Sequence, residues 1–232
     1  MKKGFTLVEV LITLTIIGIV AVLTLPNIVQ NYKKSVAETR LIKFYTSVRQ
    51  AQELSILENG NPKFWEYPED AQGIQEWYNK YFDKYLSTTR VIPRDLVDTE
   101  GNILPNRGIF TFFSDGSVAV WTKNNNSTII YIFYYINPKI ITTDAINNSN
   151  YKKLHKPGVN YFVFLLDQTA SKGTELIHTY GTPETNLEVL MNANNRTDSC
   201  SQAAAQKNEP AMCARVIELN GWKIPSNYPF KF

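Results

Sequence analysis

The sequence predicts an α+β protein in which one very long N-terminal helix is followed by a small antiparallel sheet. Three observations lead there. Residues 5–25 form an apolar run long enough to cross a bilayer, and helical periodicity continues past it to about Glu58. From Ile109 the pattern changes to short β-branched and aromatic runs separated by turn residues. No internal repeat or long low-complexity linker divides the chain, so one globular head follows the helix.

Composition narrows the field before any motif is read. The chain has 232 residues, 44% hydrophobic and 19% charged, which fits neither disorder nor full membrane embedding. Twenty-four Lys and Arg against twenty-one Asp and Glu leave a net charge of +3, too little to hold nucleic acid by bulk electrostatics. Two cysteines and two histidines cannot fill a structural zinc site without carboxylates, and no metal-ligand spacing joins them.

The N-terminus carries the most information. Lys2 and Lys3 precede a stretch that runs without a charge from Val10 to Leu25. At a rise of ~1.5 Å per residue, the twenty-one residues from Phe5 to Leu25 just span a hydrocarbon core of about 30 Å. A secretory signal peptide is one reading, but no small-x-small cleavage site follows, since the run leads into Leu25-Pro26-Asn27. A plain membrane anchor is the other, and Glu9 is the residue it does not explain. A carboxylate near the start of an apolar helix is either solvated among headgroups or paired with a positive charge, and the pairing reading names a function. Were the chain cut after Gly4, Phe5 would carry a new amine, which Glu9 of a neighbouring helix could neutralise together with the helix dipole.

Lys2-Lys3-Gly4-Phe5-Thr6-Leu7-Val8-Glu9-Val10-Leu11-Ile12 resembles the class III leader and mature start of type IV prepilins and type II secretion pseudopilins. The resemblance covers about the first thirty residues. It implies that a membrane aspartyl prepilin peptidase cuts between Gly4 and Phe5 and N-methylates Phe5. It also implies that Glu9 docks the subunit into a filament, and that Gly18 and Pro26 stand where such proteins carry a helix-loosening glycine and a helix-kinking proline. Both residues weaken a helical ladder for a physical reason, and neighbouring helices compensate for them in lipid. The fold expected from the resemblance is pilin-like: a membrane-spanning first half of the helix, then an amphipathic half packed on the sheet.

Beyond Pro26, Ala37, Leu41, Phe44, Val48 and Ala51 recur at spacings of four and three and mark one helix face. Asn59-Gly60 is the stop. A helix from Phe5 to Glu58 would be ~80 Å long. An anchor followed by a separate helix, broken at Pro26, has the same signature. A second helix is expected over 68–86, where Ile74, Trp77, Tyr78, Tyr81, Phe82, Tyr85 and Leu86 make an aromatic stripe best read as core. Residues 109–113 and 117–121 flank Ser114-Asp115-Gly116 as a hairpin; 128–135 and 161–166 are further strands, and the sheet should hold three to five. The expected organisation is therefore a leader at 1–4, the assembly half of the helix at 5–26, its amphipathic half at 27–59, a connecting segment at 60–108 and the β-sheet head at 109–232.

Cys200 and Cys213 enclose twelve residues. An inert reduced pair is possible, but in a domain outside the cytoplasm a disulfide is the default, and the spacing is not the Cys-x-x-Cys of redox motifs. The region 213–225 resembles the tail of bacterial prepilin-type proteins with two C-terminal cysteines. In those proteins the stretch between the cysteines is often a surface loop that contacts partners, a role this resemblance suggests for 201–212.

No catalytic constellation is expected. The sequence has no Gly-x-Ser-x-Gly, no phosphate-cradling loop and no His-Glu-x-x-His. His155 lies in a basic loop with Lys152, Lys153 and Lys156, best read as a solvated turn, and His178 in a strand. Calcium, bound by some major pseudopilins, is not expected, because Asn147, Asn148 and Asn150 follow Asp144 without another carboxylate. The expectation is a non-enzymatic structural subunit of a type IV pilus or type II secretion pseudopilus, with no cofactor and no metal. It would sit once through the inner membrane with its head outside the cytoplasm, although Lys33, Lys34 and Arg40 beyond the span run against the positive-inside rule. Its partners would be prepilin peptidase, other pilin or pseudopilin subunits and an inner-membrane assembly platform. The alternative is a minor pilin whose head binds DNA, a secretion substrate or a surface; the 60–108 segment makes the chain larger than a lean major subunit. An anchored enzyme borrowing the export signal is a third reading without a candidate residue set.

Overall fold

Thr6 fixes where the first helix begins. Its side chain accepts a hydrogen bond from the Glu9 N–H (3.3 Å), while the Thr6 N–H and hydroxyl both donate to Glu9 Oε2 (2.8 Å each), a reciprocal capping box. From there α1 (Leu7–Asn59) runs 53 residues, ~80 Å, before Gly60 turns the chain with φ +75 and closes on the Ile56 carbonyl. The computed structural model describes Gly4 and residues 6–97, 103–104, 106–125, 127–137, 156–167, 176–181, 186–192, 198–206 and 211–232. Phe5, Asp144, Asn147, Asn148, Asn150, Lys152, Lys153 and His155 lie outside the described residues, as does part of 201–212.

The helix is not broken at Pro26. Proline removes the N–H that would reach the Val22 carbonyl, one bond in a long ladder, and the bonds on either side carry the helix through. The alternative of two helices meeting at Pro26 is therefore corrected. The hydroxyls of Thr13, Thr15 and Thr24 donate back to the carbonyls of Val10, Leu11 and Val20, so these hydroxyls of the apolar half are satisfied within the helix.

Burial along α1 begins at Ala37. Ala37, Leu41, Phe44, Val48 and Ala51, the predicted stripe, all face the core. Phe44 stacks on Tyr134 at 4.1 Å and meets Phe113 and Phe164 edge-on, which locks the middle of the helix to the sheet.

After a 3-10 turn at Pro62–Phe64, the second helix, α2, covers only Ile74–Tyr81. The expectation of 68–86 is corrected at both ends. Asp70 turns its carboxylate onto the N–H groups of Gln72 and Gly73, a side-chain turn that competes with helix before Ile74. After Tyr81 the N–H of Asp83 reaches back five residues to Tyr78, and the chain leaves the helical ladder as a series of turns. The aromatic stripe is core: Trp65 stacks on Tyr81 at 4.3 Å, and Tyr78 and Phe82 pack on Trp121.

The main sheet has six antiparallel strands in the order β1 (Thr88–Pro93), β4 (Ile109–Phe113), β5 (Val118–Lys123), β6 (Ile129–Tyr135), β7 (Tyr161–Asp167) and β8 (Ile177–Thr179); β2 (Leu96–Val97) and β3 (Ile103–Leu104) form a separate ribbon. That is one strand more than expected, and the addition is β1, inside the segment read as a connector. Strands β4 to β8 form a meander. Side chains alternate as the pleat demands. Ala119, Trp121, Ile132 and Phe164 belong to the core shared with α1 and α2, whereas Phe110, Val118, Val120 and Val163 form a second cluster on the opposite face.

The region 186–232 adds short helices at Leu187–Met191, Gln202–Gln206 and Cys213–Leu219. A disulfide joins Cys200 and Cys213, both buried. Gly158, at φ +74, lies against it: a Cβ there would stand 2.6 Å from Cys213 Sγ and 3.0 Å from the Tyr228 hydroxyl. That hydroxyl donates to the Gly158 carbonyl at 2.7 Å and fixes 228–232 to the head.

Candidate functional site

The candidate site is α1 itself, a rod whose two halves meet different surroundings. In its first half, the strongest apolar window of eighteen residues is left unburied by the described residues. Leu14, Ile17, Val22 and Leu25 each expose more than half of their surface. An apolar helix of this length is stable only where lipid or other apolar helices cover it.

Glu9 sits at the head of this half. The sequence presents it as an isolated charge in need of a distant partner, but the capping box gives it a local one in Thr6. The signal was present as Thr6-x-x-Glu9, the Ser/Thr-x-x-Glu pattern of helix starts. Gly4 is exposed just ahead of the helix, and a Cβ on Gly4 or Gly18 would meet nothing within 4 Å in this chain. Among the described residues, Gly18 therefore lies on surface that the head does not use, whereas Pro26 lies where the C-terminal segment comes back to the helix.

The second half is held by three polar side chains that sequence reasoning missed. Glu38, 8% exposed, accepts from Lys223 Nζ and from the Ile224 N–H, each at 2.9 Å. The Arg40 guanidinium donates to the carbonyls of Ile136 and Asp115, and its own carbonyl accepts from the Tyr134 hydroxyl. Gln52 Oε1 accepts from the N–H groups of Leu176 and Ile177, both at 3.1 Å. These contacts cross 75 to 186 positions of sequence. Their signal was local: Glu38 and Gln52 stand beside Ala37 and Ala51 of the apolar stripe, where a solvated side chain is out of place.

At the β4–β5 turn, burial acts to raise the Asp115 pKa. The Ser117 hydroxyl and N–H, aided by Lys43 and Arg40, outweigh it and bring Asp115 below the ordinary value of 3.8. Beside this turn, Phe44, Ser47, Leu54, Tyr85 and Tyr134 border a hollow of about 180 Å³. That is below the roughly 300–1,000 Å³ of small-molecule sites, so it does not define a ligand pocket. Among the described residues no group of three or more His, Cys, Asp or Glu is placed to hold a metal ion. His178 lies in β8 opposite Leu165, as a strand residue.

An exposed apolar span, a capped N-terminus and a helix bolted to an antiparallel sheet, with a disulfide in the C-terminal region, define a membrane-anchored, pilin-like protein. Residues 1–25 match the prokaryotic N-terminal methylation motif, the prepilin-type cleavage and methylation segment. Residues 27–232 match the family of unknown function DUF6613, and the chain belongs to that family. The two matches meet at Pro26. No curated protein and no solved structure matches the chain.

Proposed function

We propose that this protein is a structural subunit of a type IV pilus or type II secretion pseudopilus. Prepilin peptidase cuts it between Gly4 and Phe5 and methylates the new amine, and an inner-membrane platform then assembles it through residues 5–26. One observation carries this reading: an apolar helical half whose strongest eighteen-residue window no described residue buries, headed by a prepilin-type motif. Transfer from lipid into a bundle of like helices keeps that surface dry while the head stays outside. Glu9 docks each subunit by neutralising a neighbour's amine, with its capping role exchanged for that contact. Gly18 and Pro26 let the exposed half adjust to its neighbours. The Cys200–Cys213 disulfide supports a head outside the cytoplasm, where thiols oxidise.

The minor-subunit alternative draws on a different observation. Leu57, in the last turn of α1, and Phe64, in the 3-10 turn that follows, are 84% and 80% exposed, apolar side chains suited to a binding partner. Abundance in purified filaments separates a major subunit from a minor one.

The test of processing is mass spectrometry of the N-terminal peptide from membranes that contain the cognate peptidase. A chain starting at N-methylated Phe5 is the expected result. An intact Met1 start, with the peptidase active on a control substrate, would reduce the segment to an anchor.

A further inference from the structure

The segment 228–232 returns to α1 at the level where the apolar span ends. Phe232 borders a shallow hollow of about 450 Å³ with Leu25, Pro26, Val29, Gln30 and Lys33 of the helix. The segment is held from above: the Tyr228 hydroxyl binds the Gly158 carbonyl, Gln202 donates to the Pro229 carbonyl, and the Tyr228 ring contacts those of Phe230 and Phe232. Lys231 is exposed between Phe230 and Phe232, which are both half-buried. Opposite, α1 presents Tyr32, 70% exposed, with Lys33 and Lys34.

Tyr32, Lys33 and Lys34 lie within about one turn of each other on the rod. Phe232 meets it at residues 25–33, and Lys231 adjoins Phe232 while bordering a second hollow with Lys156 and Gln202. Together they make a partial collar of aromatic rings and ammonium groups. No Asp or Glu occurs between Glu9 and Glu38, nor between Glu218 and Phe232, so Lys33, Lys34 and Lys231 face at most the α-carboxylate of Phe232 and the collar keeps a net positive charge. Counting ~1.5 Å per residue, a span beginning near Leu7 crosses about 30 Å of hydrocarbon by Pro26–Asn27, which puts the collar at the depth of the headgroups. Aromatic rings with polar tips and lysines whose stems lie along apolar surface are the side chains that settle at that depth.

We infer that this collar is a binding surface for anionic phospholipid headgroups, with Lys33, Lys34 and Lys231 meeting phosphates and Tyr32 and Phe232 seated among the upper acyl carbons. The inference rests on the membrane-anchored reading above. Charge decides the occupant. A second copy's collar would bring like charges together, whereas an anionic bilayer surface supplies the opposite sign over the whole ring. The same contact explains lysines that run against the positive-inside rule, since headgroup pairing offsets their placement beyond the span. Before assembly, the lipid contact holds the head upright on the bilayer.

The experiment places the full chain in lipid nanodiscs, with a benzophenone amino acid installed in place of Phe232. Discs contain phosphatidylcholine mixed with phosphatidylglycerol, and photo-adducts are identified by mass. Lipid adducts are expected, with phosphatidylglycerol enriched about fivefold over its share of the mixture. Replacing Lys33, Lys34 and Lys231 with Gln should return the adducts to that share. The single change Lys231→Gln, expected to lower the enrichment, keeps the test open if the triple variant misfolds. Adducts to α1 or to a second copy in place of lipid overturn the inference, as does lipid labelling without enrichment. Failure of the chain to stay in the discs would instead sink the membrane-anchored reading itself.

Discussion

Glu38 offers a quantitative test of how the head is fastened to the rod. Its carboxylate accepts two hydrogen bonds of equal length and unequal weight. Lys223 is 71% exposed along its side chain, so water replaces that contact readily and it contributes under about 1 kcal/mol. The Ile224 N–H is buried, and without Glu38 it has no solvent to turn to. Leaving such a donor unpaired costs about 1–3 kcal/mol. Glu38→Ala should therefore destabilise the head by about 2 kcal/mol, a fall of roughly 30-fold in the ratio of folded to unfolded chains, whereas Lys223→Met should cost under about 1 kcal/mol. The assay is urea unfolding of the full chain in detergent, followed by tryptophan fluorescence. Trp222 lies next to Lys223 and 4.9 Å from Tyr45 of α1, so it reports this junction. Equal losses in the two variants would refute the argument, because the exposed ion pair rather than the buried N–H would then carry the energy.

Four further outcomes follow from the same geometry. Gly158→Ala forces a Cβ to within 2.6 Å of Cys213 Sγ at φ +74, and should cost about 1–3 kcal/mol in thermal unfolding, with Gly221→Ala, where nothing crowds the Cβ, as the comparison. Reduction of the Cys200–Cys213 disulfide should remove on the order of 3 kcal/mol, read from unfolding with and without reductant, and reduction of the native state should be slow because both sulfurs are buried. Asp115 has a depressed folded-state pKa, so its contribution is present above the unfolded value near 3.8 and is lost as pH falls through the lower folded value; Asp115→Asn should flatten the stability profile below about pH 4. Glu9→Ala should lower incorporation into filaments while leaving processing intact, and Glu9→Gln separates the causes. Glutamine can still complete a capping box but carries no charge, so restored incorporation would assign Glu9 to the cap and remove charge pairing as its role.

The parts of the fold that were legible in the sequence are those with a strong local period. The stripe from Ala37 to Ala51 repeats at helical spacing over four turns, and 109–121 alternates around Asp115-Gly116, so helix and hairpin were readable at once. β1 was hidden because Thr88-Thr89-Arg90-Val91-Ile92 lies next to Pro93 in a stretch that reads as connector, and its place is settled by pairing with β4, a contact local pattern does not carry. The second helix was over-extended because aromatic spacing continues after Tyr81, whereas Asp70 and the turns after Phe82 bend the backbone away from it. At the site, residues 5–9 were recognisable as a motif, but Glu38, Arg40 and Gln52 were not, since their partners lie on β-strands and loops up to 186 residues away.

The grip of Gln52 on the chain entering β8 has a consequence for how the sheet's margins can meet other molecules. Any open sheet offers bare backbone groups along its two margins, and these can recruit a strand from a neighbour and start a growth that nothing terminates. Here one margin is the three-residue β8, whose outer Ile177 N–H is already occupied by the Gln52 side chain. The other is β1, where Pro93 has no donor to offer and Arg90 lies over the Phe112 ring. With both margins of the main sheet blunted, that sheet is a poor template for strand addition, and the apolar half of the rod offers the longer exposed surface for association among the described residues. If copies of this chain assemble as proposed, the cross-β route is disfavoured at the main sheet and the helical one is left open.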